Sequence, residues 1–281
     1  IDYSFPLNIG NTWTYVYYRS FRCFEDADYQ IIDHEAELLY ENGGFLDTSF
    51  YQVTLTIIEQ KVIFNSLSVY ELEFHFVNAD TNFYEFAYIN EDLSGLNLYA
   101  TKTKTGSGEV YINYLPRSII YNDIIMNNFF GGVVLSNNID EAECNDYTYE
   151  KWDSPLSVLE YPVQLNKYWV NVAIGSIYKI ICETDNEVIS QYQTHLSAFK
   201  GYTDISEGCL MTETYASLPL LGDDLNYLFT KKYCDYGIES TLNTYKLGEQ
   251  IVVDAQGIGI SHFAKIETSF QLIGTNVVQN N

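Results

Sequence analysis

The dominant hydrophobic repeat along this chain is two residues. In Val69-Tyr70-Glu71-Leu72-Glu73-Phe74-His75-Phe76, the side chains of Tyr70, Leu72, Phe74 and Phe76 fall on one face and Glu71, Glu73 and His75 on the other. That alternation predicts a half-buried antiparallel strand. Comparable runs occur at 13–18, 51–59, 83–89, 96–101, 110–115, 168–174, 177–182, 188–196, 210–216, 227–233, 242–247, 258–265 and 268–273. Turn signals such as Asn42-Gly43-Gly44, Gly106-Ser107-Gly108 and Asp235-Tyr236-Gly237 separate many of them. The expected fold is mainly β: a large curled antiparallel sheet, half-barrel or open barrel-like, with one or two short helices. The helix candidates are 33–40 and 116–130, the second opened by Pro116 and closed by Gly131-Gly132. Residues 1–281 read as one β-rich domain, with an acidic interruption near 137–153 as the point of subdivision.

Composition supports a sheet protein. The chain has 26 Tyr and 16 Phe against 2 Met, and aromatics suit a pleated, half-buried surface. At 47% hydrophobic, its 281 residues can bury a large core. The 38 acidic residues outnumber the 14 Lys and Arg, giving a formal charge of −24. That charge repels phosphate, which argues against a nucleic-acid partner. No apolar run reaches the roughly 20 residues that span a bilayer as a helix, so no transmembrane segment is expected. The chain opens on Ile1, and the expectation is a mature exported protein whose signal peptide has been removed. Five cysteines (Cys23, Cys144, Cys182, Cys209, Cys234) leave at least one thiol unpaired in a monomer; their pairing is open, and buried free thiols are the alternative to bridges.

A local device occurs twice. Phe5-Pro6-Leu7-Asn8-Ile9-Gly10-Asn11-Thr12-Trp13 is echoed by Tyr161-Pro162-Val163-Gln164-Leu165-Asn166-Lys167-Tyr168-Trp169. Each is an aromatic, a proline, an aliphatic, a tight turn, then a tryptophan opening a strand. Gly10 and Asn166 are the turn positions suited to positive φ, and each Trp is the core anchor of the new strand. The preferred reading is one sheet using the device twice; a duplicated half-sheet is the alternative.

The stretch Phe5-Pro6-Leu7-x-x-Gly10-Asn11-x-Trp13-x-Tyr15 resembles the opening of a loosely defined, mostly uncharacterised group of secreted bacterial proteins and lipoproteins. Pro162 to Trp169 resembles their degenerate mid-chain repeat. The segments from His195 to Tyr202 and from Glu207 to Thr214 are similar to a "G-x-F-x-x-C" element, split by an insertion. Ala255-Gln256-Gly257-Ile258-Gly259-Ile260-Ser261 is similar to their closing "A-x-G-V-G-L-V". The resemblance implies a curled antiparallel sheet related to lipoprotein-carrier proteins, and an extracellular, cell-surface or periplasmic location. It carries over no catalytic residue, so Phe5, Pro6, Gly10, Trp13, Pro162, Trp169, Gly257 and Gly259 stand as structural motif positions.

Catalytic patterns are missing from the sequence. His34-Glu35-Ala36-Glu37-Leu38 lacks the second histidine of a zinc helix. Gly257 and Gly259 lack the third glycine of a dinucleotide loop. Neither a phosphate loop nor a serine elbow is present. The expectation is therefore a non-enzymatic protein with no required cofactor. Calcium takes clustered oxygen ligands, and Asp140, Glu141, Glu143 and Asp146 are the candidate calcium site, with a solvated acidic loop as the alternative. The leading functional expectation is a self-assembling structural subunit, or one that contacts another envelope protein. A carrier of a lipid, another apolar ligand or a glycan is the alternative. Self-association faces an electrostatic obstacle: at −24, the acids must point away from the contact or be bridged by cations.

Overall fold

The computed structural model describes residues 3–26, 46–64, 66–104, 129–130, 147–194, 197–206, 208–217, 226–253 and 259–278. It is one antiparallel sheet of 15 strands, curled but not closed by a continuous ladder into a barrel. The N-terminal meander is β1 (Thr12–Asp26), β2 (Leu46–Ile63), β3 (Leu67–Val77), β4 (Asn82–Asp92) and β5 (Gly95–Lys104). The middle of the chain supplies β6 (Tyr147–Trp152), β7 (Leu156–Glu160), β8 (Tyr168–Val172), β9 (Ile177–Cys182) and β10 (Val188–Gln193). The C-terminal meander is β11 (Ser197–Ser206), β12 (Cys209–Ser217), β13 (Asn226–Cys234), β14 (Gly237–Val253) and β15 (Gly259–Asn276).

Each meander follows chain order, and turns of two to four residues join β3 to β4, β4 to β5 and β13 to β14. The two meanders join where β1 pairs with β15, with Trp13 opposite Thr275 and Tyr17 opposite Phe270. The middle strands then extend both ends of the curl. β6 and β7 run in line along β5, reaching it at Lys104 to Thr101 and at Leu98 to Gly95. β8 and β9 form a second broken strand, and β10 and β11 a third. β9 attaches to β6, while β8 attaches to β11 at the far end of the sheet. Between β7 and β8 side chains replace a backbone ladder. Trp169 Nε1 and Asn171 Nδ2 both donate to the Ser157 carbonyl, at 3.0 and 3.1 Å. The Tyr202 hydroxyl donates to the Glu160 carbonyl and accepts from the Glu160 N–H.

The concave face holds the core. Trp13, Tyr15, Tyr17, Val53, Leu55, Ile57, Leu72, Phe74 and Phe76 are buried there, with Phe270 from β15. Phe129 and Phe130 fill the curl. The Phe129 ring meets Phe74, Phe270 and Tyr15 edge-on at 5.0, 5.1 and 5.5 Å between centroids. Such edge-to-face pairs suit the ring quadrupole.

The expected strands are largely present, with corrections. β6, β7 and β11 were not anticipated, and the runs at 258–265 and 268–273 are one strand, β15. Asp153-Ser154-Pro155 interrupts the first pair and disguises two short strands as loop. The expected helix at 33–40, the strand at 110–115 and the helix at 116–130, save Phe129 and Phe130, lie outside the described residues.

Candidate functional site

The two Pro…Trp devices are built alike. Gly10 has φ +92° and Asn166 φ +63°, so each turn takes the left-handed conformation expected of it. Trp13 and Trp169 are both buried. Trp13 donates from Nε1 to the Tyr236 carbonyl at 2.6 Å and lies against Gly237, where a Cβ would sit 2.5 Å from that nitrogen. Phe5 packs on Trp13 at 5.9 Å, and Pro6 accepts at its carbonyl from Asn11 Nδ2 at 2.8 Å. Pro162 follows a cis peptide bond. Glu91 ties the devices together: its carboxylate accepts from the Phe5 N–H at 2.8 Å, from Ser4 Oγ at 2.7 Å, and from the Tyr161 hydroxyl. Burial and the adjacent Glu91 charge push the Tyr161 hydroxyl well above the ordinary phenol range. A cleft of about 540 Å³ lies beside this junction, lined in part by Phe5, Pro6, Tyr70 and Glu91. Gly259 opens β15 opposite Val253. Gly257 lies outside the described residues, as do the calcium candidates Asp140, Glu141, Glu143 and Asp146.

The polarity of the C-terminal meander is partly inverted. On its inner face the backbone register aligns Lys200, Thr214, Phe229, Asn243 and Thr268 in one row across five strands. The next row contains Tyr202, Thr212, Lys231, Thr241 and Phe270. All ten are buried, and seven are lysine, threonine or asparagine. Lys200 donates to the Phe130 carbonyl at 3.3 Å and to the Tyr233 hydroxyl at 3.2 Å. Burial pulls its amine down to about 7. Lys231 donates to Asn243 Oδ1, and its amine falls well below the usual lysine range, chiefly through burial and secondly through the charge of Lys200. Desolvation disfavours the ammonium form, which explains both directions.

The outer face of the same strands is correspondingly apolar. Val170, Phe199, Tyr215 and Leu228 form one cross-strand row on β8, β11, β12 and β13. Their exposures are 50%, 48%, 51% and 43%. Leu242 on β14 is 55% exposed and stands opposite Thr230, two residues along from Leu228. The described charges on this face are few: Asp204, opposite Met211, and Glu213 are exposed, and Lys232 is paired with Glu239. The outer face of the N-terminal half differs. There Glu71 is buried against Lys61, with Lys102 at 3.9 Å, and Lys102 pairs with Glu183 at 3.1 Å. Lys102 also lies over the Phe86 ring at 4.4 Å, a cation–π contact.

Cys209 and Cys234 stand opposite each other on β12 and β13 and are bonded, Cα to Cα 4.1 Å. Cys182 is disulfide-bonded as well. Among the described residues, the grouping with metal-ligand atoms is Cys209, Cys234 and Glu239, but the two sulfurs are consumed in their own bond.

Sequence reasoning singled out the Pro…Trp devices and passed over Glu91, Lys200, Lys231 and the outer row. The signal for the row was present in Phe199-Lys200-Gly201-Tyr202, where alternation separates Phe199 from Lys200. Residue polarity assigns the wrong one to the interior. No family model matches this chain, and no curated protein matches it in sequence.

Proposed function

We propose that this is an exported, non-catalytic protein that works by self-association, and that the outer face of β8, β11, β12, β13 and β14 is the contact surface. The observation that carries the reading is the inverted polarity of that face. A strand slipped by one residue would exchange its two faces, placing Phe199, Tyr215 and Leu228 inside and Lys200 and Lys231 outside. The observed register instead keeps two lysines in the core and large apolar groups at the surface. Covering the apolar row offsets that arrangement, since burial stabilises by about 25 cal/mol per Å² of apolar area. Contiguous exposed apolar patches commonly mark interaction sites.

The choice of a second copy rests on charge. A monomer at −24 repels its like, and its 38 acidic residues must be kept out of the contact. This face brings two exposed carboxylates, Asp204 and Glu213, and one internally paired one, Glu239. The disulfides support an oxidising compartment, in keeping with the resemblance to secreted bacterial proteins. Carriage of an apolar ligand has less support, because Phe129 and Phe130 occupy the curl where such a ligand would lie.

Sedimentation velocity on the chain and on the double variant Phe199→Glu, Leu228→Glu tests this. The expected result is a concentration-dependent oligomer for the first and a folded monomer for the second. A wild-type chain that stays monomeric at its highest soluble concentration would overturn the proposal.

A further inference from the structure

Lys231 and Asn243 meet inside the core in a reactive arrangement. Lys231 is opposite Thr241 and Asn243 is opposite Phe229, so the two side chains are diagonal neighbours across β13 and β14. Both are fully buried. Lys231 Nζ donates to Asn243 Oδ1, which puts the amide carbon, one bond away, within reach of the same nitrogen. The Phe229 ring lies 5.5 Å from Nζ. On the far side Asn243 Nδ2 donates to Thr268 Oγ1 on β15 at 2.7 Å. Burial holds the Lys231 amine well below its ordinary range, with Lys200 adding to the shift. A neutral, desolvated lysine carries a free lone pair and is a competent nucleophile. Fixed proximity can remove much of the activation barrier.

We propose that Lys231 and Asn243 join in an intramolecular isopeptide bond. The Nζ–Cγ bond forms and the Cγ–Nδ2 bond breaks. One Nζ proton passes to Nδ2, which leaves as ammonia. Nothing is oxidised or reduced, and no co-reactant enters. Thr268 is the positioning residue: its hydroxyl accepts from Nδ2 and orients the amide. The bond would tie β13 to β14, just as Cys209–Cys234 ties β12 to β13, and would stiffen the strands beneath the apolar row. It does not depend on self-association.

The test is the intact mass of the wild-type chain, reduced and denatured, together with its tryptic map. The expected mass lies about 17 Da, one ammonia, below that of the sequence. A branched peptide should link Lys231 to Asn243, with no cleavage after Lys231. The Lys231→Met variant should show the full sequence mass, and it needs no folded structure for that measurement. A wild-type chain at full sequence mass overturns the proposal. So does a deficit that maps to a single residue instead of to this pair.

Discussion

Gly237→Ala tests how the first Pro…Trp device is locked to the opposite meander. Gly237 opens β14 at φ +122°, a conformation that costs an L-residue roughly 1–3 kcal/mol. An added Cβ would sit 2.5 Å from Trp13 Nε1, 2.9 Å from Cε2 and 3.2 Å from Cζ2. The indole is fixed in a buried site, so it must shift, at an overpacking cost of roughly 1–3 kcal/mol. Its hydrogen bond to the Tyr236 carbonyl would stretch with it, leaving a buried N–H poorly satisfied at roughly 1–3 kcal/mol more. These costs overlap, and about 4 kcal/mol is a reasonable sum. At about 2–4 °C per kcal/mol for a chain somewhat smaller than this one, the melting temperature falls by roughly 8–16 °C. Gly10→Ala is the internal control. Its φ is +92°, but nothing lies within 4 Å of the added carbon, so only the backbone cost of about 1–2 kcal/mol remains. Thermal unfolding by circular dichroism, with the disulfides intact, compares the two. Equal losses would refute the claim that Trp13 and Gly237 are fitted to each other.

Two further perturbations probe the interior and the junction. Folded Lys200 titrates at about 7 against roughly 10.4 in the unfolded chain, so between those values the unfolded state binds more protons. Stability should therefore rise with pH across that window, by about 2 kcal/mol from pH 7 to 9, and Lys200→Met should remove that gain in guanidinium unfolding. An unchanged slope would mean that Lys200 is charged where it lies. Glu91→Gln leaves one acceptor oxygen for the Phe5 N–H, Ser4 Oγ and Tyr161 hydroxyl, and should cost about 1–2 kcal/mol. Amide exchange at Phe5 should quicken, and an unaltered rate there would count against Glu91 as the tie.

Much of the sheet was legible because alternation is a local property. Leu72, Phe74 and Phe76 point inward as their spacing predicts, and Gly10 and Asn166 take positive φ because their turns require it. Other features depended on partners distant in sequence. Glu71 was expected on the outer face and is there, yet it is buried, because Tyr88 and Lys61 close over it from neighbouring strands. Alternation divides Phe199 from Lys200 without saying which side becomes the interior, and here the choice runs against polarity. The Cys209–Cys234 pairing became readable only once β12 and β13 were in register. β6 and β7 escaped notice because each is short and Pro155 parts them.

The pairing of β1 with β15 has a consequence for how the molecule is made. Of the fifteen strands, the first to be made lies in the middle of the finished layer, and its neighbour on one side is the last to be made. Strands β1 to β5 can zip up as they emerge, but their tyrosine- and phenylalanine-rich surface stays wet until Phe270 arrives to stack on Tyr17. Such long-range closure makes for slow maturation and a lengthy window of stickiness. Vectorial synthesis thus leaves this sheet incomplete until its fifteenth strand is made.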